Sequence, residues 1–399
     1  MEKLKNMTDK VAIPLGGVLQ LDDVGWDDGR DLRLRGQASR SGLPRHHALE
    51  DYQLLHEIGK ALRSTVTVAI CLGDWDKNNI LRNVKGATHN PSGWDRASEI
   101  DIEKFGQYRD VLDNSPYIEF TVHGLLHGNY DDDGKRINES EGFTTKVENG
   151  LVVSKTLVSD EYFISHLNAF YEIYKAWDFK KKIDIYISPC GLGGISVEET
   201  ERVAKILYSY GIRYWTNSGF PFEGPVKVIS GVVCLKQNRG MLRRFSAPWN
   251  AYDIDPDTFG NYLHEDWREN SANVGLHWTN ILRYNPKTNF EQIKPWADYF
   301  ERQRDVFGFM VSESFAESAN QALFYRYGTV EEVGNKYVFD VSEVERCGFE
   351  ALKREFFVSF KKGSTPKSSS GCELALYEER GEFNTYLVSY SSPVFEMEL

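Results

Sequence analysis

The sequence predicts an α/β protein in which a (β/α) barrel is followed by a small C-terminal domain of β-strands. Short apolar segments that indicate buried strands alternate with amphipathic helical segments over residues 11–328, and this alternation is typical of parallel βα units. Polar loops follow the short strands, which favours a barrel over an open doubly wound sheet. We therefore expect a barrel domain over residues 1–328 and, where helices are no longer predicted, an all-β domain over residues 329–399.

The individual elements are predicted from the spacing of their apolar residues. The predicted strands of the barrel occupy residues 11–21, 65–72, 117–122, 183–187, 212–216, 242–247, 273–276 and 309–311. Its predicted helices occupy residues 49–62, 102–112, 160–177, 197–210, 295–306 and 314–325. The predicted strands of the C-terminal domain occupy residues 337–341, 356–360, 373–377 and 385–390. In a barrel of this kind, catalytic residues belong at the carboxyl ends of the strands.

Composition and charge limit the classes of function. Hydrophobic residues make up 41% of the 399 residues and include 23 Phe, 21 Tyr and 9 Trp, which is enough for a sizeable core. The formal net charge of -12 argues against nucleic acid or an anionic membrane as the main partner. The five cysteines are scattered without C-x-x-C spacing, which predicts reduced thiols. The polar start and the lack of any apolar run of about 18 residues predict a cytoplasmic protein without membrane insertion.

Two histidines and two acidic residues suggest a metal site. His123 and His127 directly follow a predicted strand, and two imidazoles four residues apart can share one face of a helical turn and bind one ion. Asp22 and Asp23 end another predicted strand, and His277 ends a third. One carboxylate and two histidines are a usual ligand set for a divalent catalytic metal, with positions left for water and substrate. A neighbouring carboxylate could accept a proton, and a separate histidine could donate one.

The order and spacing of these residues resemble the NodB-type polysaccharide deacetylases (carbohydrate esterase family 4) and the wider group of deacetylase-like barrels, over roughly residues 11–312. That family has a distorted (β/α) barrel and a metal-dependent N-deacetylase activity on acetylated amino sugars. Its first motif, a strand that ends in Asp-Asp, is similar to residues 19–23. Its second motif, H-x-x-x-H, is similar to residues 123–127, and its last motif, a histidine at a strand end, to residues 275–277.

The resemblance implies a role for each of these residues. Asp22 would be the catalytic base, and His277 would be the catalytic acid. Asp23, His123 and His127 would bind a divalent metal ion, with zinc as the first expectation.

One motif of the family is incomplete in this chain. The family's third motif carries an Arg that orients the base, whereas the nearest stretch, residues 187–191, has the Pro and the Gly of that motif but no Arg and no aromatic residue. Arg243 or Arg244 could supply a guanidinium group from a neighbouring predicted strand, and we expect Arg244 to contact the substrate. Trp249 lies in a stretch similar to the motif that places a Trp in the pocket wall, so it is also expected to bind substrate.

A second acidic pair is an alternative to the first. Asp23 is followed by Val24, whereas the family has a Gly after its Asp-Asp pair. Asp27 and Asp28 are followed by such a Gly, but no apolar run precedes them. The pair at the end of the apolar strand is therefore preferred.

The predicted function is that of a metal-dependent hydrolase which removes an N-acyl group from an amino sugar or glycan, in the setting of surface-polysaccharide biosynthesis. A second hypothesis is a degenerate barrel that binds carbohydrate without turnover, by stacking on tryptophans of its loops. These tryptophans are Trp75, Trp94, Trp249 and Trp278. A third hypothesis keeps the metal and changes the substrate to an amide that is not a sugar.

Overall fold

The computed structural model describes residues 5–30, 41–148, 151–189, 195–217, 219–236, 251–259, 273–363 and 365–398. In chain order, the first fifteen strands are β1 (Val11–Ala12), β2 (Leu15–Gly17), β3 (Leu19–Val24), β4 (Val66–Ile70), β5 (Ile118–Val122), β6 (Asn129–Tyr130), β7 (Arg136–Asn138), β8 (Phe143–Glu148), β9 (Leu151–Leu157), β10 (Ile185–Ile187), β11 (Tyr214–Asn217), β12 (Val226–Ile229), β13 (Val232–Lys236), β14 (Val274–His277) and β15 (Phe309–Val311). The remaining strands are β16 (Thr329–Val333), β17 (Lys336–Asp340), β18 (Glu355–Lys361), β19 (Lys367–Ser370), β20 (Cys372–Glu379), β21 (Phe383–Tyr390) and β22 (Val394–Glu398).

The helices of the described residues have the following bounds: α1 (Leu49–Leu62), α2 (Arg96–Glu99), α3 (Ile102–Asn114), α4 (Asp160–Ala176), α5 (Val197–Ser209), α6 (Ile293–Arg304), α7 (Phe315–Tyr327) and α8 (Ser342–Glu345). Short 3-10 helices include Gly73–Trp75 and Trp278–Ile281. Within the part of the chain that the structure describes, none of these helices is long and apolar enough to span a lipid bilayer.

The central sheet contains eight strands in the order β12-β13-β11-β10-β5-β4-β3-β14. Seven of them run parallel, and only β12 is antiparallel to its neighbour. Helix α1 connects β3 to β4, α3 connects β4 to β5, α4 precedes β10 and α5 connects β10 to β11. The predicted alternation of strands and helices is therefore observed, with the strands buried as such units require.

The central sheet curls like a barrel wall. The side chain of Gln20 on β3 lies 3.5 Å from that of Thr216 on β11 (Thr216 Oγ1 to Gln20 Oε1), although three strands separate β3 from β11 in the sheet. In a flat sheet, with strands spaced about 4.8 Å apart, these backbones would lie about 19 Å apart. The contact requires strong curvature, as in a barrel. The structure thus shows an α/β fold with a barrel-like parallel sheet.

The prediction of a single strand over residues 11–21 was wrong. The segment forms three short strands that join three different sheets: β1 pairs with β18, β2 pairs with β15, and β3 joins the central sheet. Pro14 separates the first two strands, since proline cannot donate a hydrogen bond to a ladder. Three hairpins, β6–β7, β8–β9 and β12–β13, were not predicted. The strand predicted at residues 242–247 lies outside the described residues.

The C-terminal strands form two antiparallel sheets, in the orders β1-β18-β21-β20 and β16-β17-β22-β19. The prediction of a region without helices was wrong in one detail, because the one-turn helix α8 lies between β17 and β18. These sheets share one hydrophobic core with the barrel, and the ring of Phe356 on β18 stacks on that of Phe324 on α7 at 4.4 Å between ring centroids. A domain boundary at residue 328 stays a prediction.

A buried ion pair fixes the start of α1. The carboxylate of Asp51 accepts hydrogen bonds from both Arg45 Nη atoms at 2.7 Å and from the backbone amide of Ala48. Asn289 donates to the same carboxylate at 2.6 Å, and Arg45 donates onward to the carbonyl of Arg283 at 2.9 Å. This network therefore ties α1 to the segment that follows β14.

The Asp51→Asn variant should lower the free energy of unfolding by about 3 kcal/mol at pH 7, because the half-buried Arg45 charge loses its partner. Burial raises the pKa of Asp51, but Arg45 and His47 outweigh burial and hold it well below the ordinary value of 3.8. The stabilisation is present above that ordinary value and is lost as the pH falls below it. Denaturant unfolding of both proteins should show a difference that shrinks in acid.

Asp110→Asn provides the matched control, since Asp110 is an exposed aspartate that pairs with Arg109 on the surface. It should change the free energy of unfolding by no more than about 0.5 kcal/mol. Equal losses in the two variants would contradict the importance of the buried pair.

Candidate metal centre

Several strands of the central sheet end at one edge, and polar side chains follow directly. Asp22 and Asp23 lie at the end of β3, Cys71 follows β4, His123 follows β5 and His277 ends β14. Because β14, β3, β4 and β5 are successive parallel neighbours, their carboxyl ends meet at the same edge of the sheet. The apolar strands thus deliver this set of residues to one place.

A β-bulge in β3 sets the direction of the acidic pair. Leu21 pairs with Val68, whereas Val24 pairs with Ile70, so two residues of β3 oppose one residue of β4. In a regular strand, successive side chains point to opposite faces. Here Asp23 adopts a left-handed backbone with φ 65°, which redirects its side chain. The bulge is the local reason why Asp23 reaches the histidines.

The carboxylate of Asp23 lies between two imidazole rings. Its Oδ1 is 3.3 Å from His127 Nε2 and 3.5 Å from His123 Nε2. All three residues are buried, with exposed fractions of 2% for Asp23, 1% for His123 and 5% for His127. Among the described residues, Asp23 Oδ1 accepts no well-formed hydrogen bond. The structure therefore brings together the three residues that the sequence predicted as metal ligands.

The two histidines do not share a helical turn, so that detail of the sequence prediction was wrong. Residues 123–128 form an irregular turn, with φ 103° at Gly124 and φ 48° at His127. A glycine adopts such a backbone without strain, whereas other residues adopt it rarely. The turn nonetheless directs both Nε2 atoms towards Asp23.

A backbone carbonyl orients His123. Its Nδ1 lies 2.9 Å from the carbonyl oxygen of Ile187 at the end of β10. Since a carbonyl only accepts, Nδ1 carries the proton and Nε2 is the nitrogen that can bind a metal. Such an interaction is typical of the support that metal-binding histidines receive.

The electrostatics of the cluster favour a cation beside Asp23. Burial disfavours the charge on Asp23, but the charges of His127, His277 and His123 outweigh burial and hold its pKa well below the ordinary range. Burial also disfavours charge on His123, yet its contact with Asp23 and the charges of Asp22 and Asp23 raise its pKa to about 9. The site therefore stabilises positive charge next to a buried carboxylate.

The donor types of Asp23, His123 and His127 are those that suit a divalent metal ion. A buried carboxylate oxygen without a well-formed hydrogen bond is costly unless a cation or a donor satisfies it. One carboxylate and two imidazoles are the donors that zinc and similar ions accept. Asp23, His123 and His127 would hold the ion.

The two predicted catalytic residues flank this cluster. His277 Nε2 is 3.9 Å from Asp23 Oδ2, and its side chain is 23% exposed. Asp22 is partly buried, and its Oδ1 accepts a hydrogen bond from Gln20 Nε2 at 2.9 Å. His277 and Asp22 are partners in the pairing of β14 with β3. Their roles as acid and base stay predictions.

The alternative acidic pair is engaged elsewhere. Asp27 accepts Lys104 Nζ at 2.7 Å and Arg96 Nη2 at 3.0 Å, while Asp28 binds Arg30. Positive charges of lysine and arginine thus neutralise this pair. The geometry favours Asp22 and Asp23 as the acidic pair of the site.

Arg244 and Trp249, expected to bind substrate, lie outside the described residues, as does Arg243. Their contact with the site stays a prediction.

Glu141 supports the turn formed by residues 123–128, although no periodic pattern in the sequence indicates this residue. Its Oε1 accepts the amide of Leu125 at 2.7 Å, and its Oε2 lies 3.6 Å from His166 Nδ1. A Cβ atom at Gly124 would lie 2.5 Å from the same carboxylate. The glycine therefore gives Glu141 room to hold the loop between His123 and His127.

No protein-family model matches this chain, and no curated protein matches it. A 4-alpha-glucanotransferase from Thermococcus litoralis is similar over 76% of this chain and 40% of its own, with 11% identity and a TM-score of 0.38. A GH30 endoxylanase from Clostridium papyrosolvens is similar over 97% of this chain and 98% of its own, with 10% identity and a TM-score of 0.28. An endogalactoceramidase is similar over 98% of this chain and 96% of its own, with 10% identity and a TM-score of 0.24. Similarities this low carry no functional argument.

The Gly124→Ala variant should bind zinc about tenfold more weakly or worse, because the added methyl group displaces Glu141 and strains the turn. The backbone strain should also lower the free energy of unfolding by about 1–3 kcal/mol. Zinc titration calorimetry and denaturant unfolding measure the two effects.

Gly106→Ala provides the matched control. Gly106 lies in α3 with open space where a Cβ atom would stand, and alanine favours a helix over glycine. This variant should keep its zinc affinity and be at least as stable as the original protein. An unchanged zinc affinity in Gly124→Ala would contradict the proposed support by Glu141.

Proposed function

We propose that this protein is a metal-dependent hydrolase that removes an N-acyl group, of the acetyl type, from an amino sugar or glycan. One observation carries the proposal: Asp23 Oδ1, buried and without a well-formed hydrogen bond among the described residues, lies 3.3 Å and 3.5 Å from the Nε2 atoms of two histidines. The resemblance to NodB-type deacetylases in the order of these residues supports the choice of bond and substrate. We further propose zinc as the metal and surface-polysaccharide biosynthesis as the setting.

The chemistry is the hydrolysis of an acyl-amine bond. A divalent ion held by Asp23, His123 and His127 would polarise the acyl oxygen and lower the pKa of water. Asp22 accepts the proton of the attacking water, and His277 donates a proton to the nitrogen of the departing amine. The carbon–nitrogen bond breaks, and the products are a carboxylate and a free amine.

Gln20 takes part by holding the base. The family resemblance leads one to expect an Arg beside Asp22, and in this chain the side-chain amide of Gln20 donates to Asp22 Oδ1 at 2.9 Å. That bond restricts the orientation of the carboxylate that is proposed to accept the proton. Gln20 itself is fully buried, which limits the movement of this contact.

Metal content and acyl release test the proposal together. Protein stripped with a chelator should lose acetate release from N-acetylated sugars and regain it with zinc or cobalt. Asp23→Asn and His123→Ala should each lower bound metal and activity by about 100-fold or more, since each removes a ligand.

His56→Ala is the matched control, because His56 is a half-buried histidine that contacts Ser115 on the outer helices. It should keep both metal and activity. Protein that binds no metal, or metal binding unaffected by both ligand variants, would contradict the proposal.

Asp22→Asn and His277→Ala should separate chemistry from metal binding. Both variants should retain one bound metal ion, whereas kcat should fall by about 10²–10⁴-fold, because proton transfer is lost. The Asp110→Asn variant should match the original protein in both measurements. Saturable glycan binding without turnover in the metal-loaded original protein would support a degenerate barrel instead. Turnover only of amides that are not sugars would contradict the proposed substrate.

A further inference from the structure

Cys71 and His123 lie opposite each other, each directly after one of the neighbouring strands β4 and β5. The last pair between β4 and β5 joins Ile70 and Val122, and both Cys71 and His123 come one residue later. The amide of His123 donates to the Ile70 carbonyl at 3.1 Å, so the pairing continues past the strand ends. Residues level with each other on adjacent strands point to the same face of a sheet. The thiol of Cys71 therefore faces the same space as the imidazole of His123.

The sulfur lies close to two of the proposed ligands. Cys71 Sγ, a carboxylate oxygen of Asp23 and a ring nitrogen of His123 all lie within 4.8 Å of one another, and all three residues are buried. The thiol contacts the His123 carbonyl at 3.8 Å, a weak hydrogen bond for a sulfur donor. Asp23 Oδ1, in contrast, has no well-formed hydrogen bond within the described part of the chain. A buried carboxylate and a weakly hydrogen-bonded thiol that lie this close together are placed to bind the same metal ion.

We propose that Cys71 is a fourth protein ligand of the metal centre and makes it selective for thiophilic ions such as Zn²⁺ and Co²⁺ over Mg²⁺ and Mn²⁺. The inference rests on the proposed function, because it adds a donor to the site of Asp23, His123 and His127. Thiolate is a softer ligand than carboxylate or imidazole, and soft ligands favour these ions. An ion held by these four protein ligands would still need to offer positions to the attacking water and to the acyl oxygen, which an expanded coordination shell would supply.

The ligation step is balanced without any further reactant. The S–H bond of Cys71 breaks, its proton passes to solvent, and the sulfur lone pair forms the bond to the metal. No electron is transferred, so the sulfur keeps its oxidation state.

Cobalt-substituted protein tests the inference through its absorption spectrum. A cobalt–thiolate bond gives an intense charge-transfer band in the near ultraviolet, whereas the weak visible bands report bound cobalt whatever its ligands. The original protein and the Cys71→Ala variant should both show the visible bands, and only the original should show the charge-transfer band. The preference for zinc over manganese should fall by about tenfold or more in Cys71→Ala.

Cys234→Ala is the matched control, because Cys234 is another fully buried thiol, on β13. This variant should keep the charge-transfer band. X-ray absorption of the zinc-loaded original protein needs no variant, and it should show a sulfur neighbour at about 2.3 Å from zinc.

The two proposals fail in different ways. Visible cobalt bands without a charge-transfer band, and zinc without a sulfur neighbour, would overturn the role of Cys71 and leave the other three ligands standing. Original protein that binds neither cobalt nor zinc would overturn the proposed function and this inference together.

Discussion

The burial of the Asp23 carboxylate is the constraint on which the site depends. A carboxylate removed from water must be compensated by positive charge or by hydrogen bonds. The groups that lie against Asp23 here are imidazoles, on both oxygens of the carboxylate. A protonated imidazole supplies positive charge, and a neutral imidazole is a good metal ligand. The same arrangement therefore favours the ionised form of Asp23 and supplies donors of the kind that the proposed metal site requires.

Support for this cluster comes from separate parts of the fold. The bulge in β3 turns Asp23, the carbonyl of Ile187 on β10 orients His123, and Glu141 holds the turn that leads to His127. Each contact restricts a rotation that metal binding would otherwise have to freeze. Because the supporting groups belong to different strands and loops, the site depends on the assembly of the whole edge of the sheet.

Much of this could be predicted from the sequence, because its apolar patterns are local. The bounds of α1 agree with the prediction at both ends. Asp23, His123 and His277, which the structure places near one another, were singled out because each lies at or just after the end of an apolar strand. Residues 11–21 form three separate strands because they pair with strands far along the chain, such as β15 and β18. Such distant pairing could not be predicted from a local pattern. Cys71 and Glu141 were missed as site residues for the same reason: strand register and loop path place them, and neither leaves a periodic pattern.

The exposure of its residues shows which side of the cluster faces solvent. Asp23, His123 and His127 are nearly fully buried, whereas Asp22 and His277 are only partly buried. His277 begins the segment that Arg45 and Asp51 fasten to α1, and its neighbour Trp278 stacks on the ring of His47 at 3.9 Å between ring centroids. The solvent-facing side of the cluster is therefore also rigidly held. The proposed acid and base thus lie on the side of the cluster that faces solvent, and the proposed metal ligands lie beneath them.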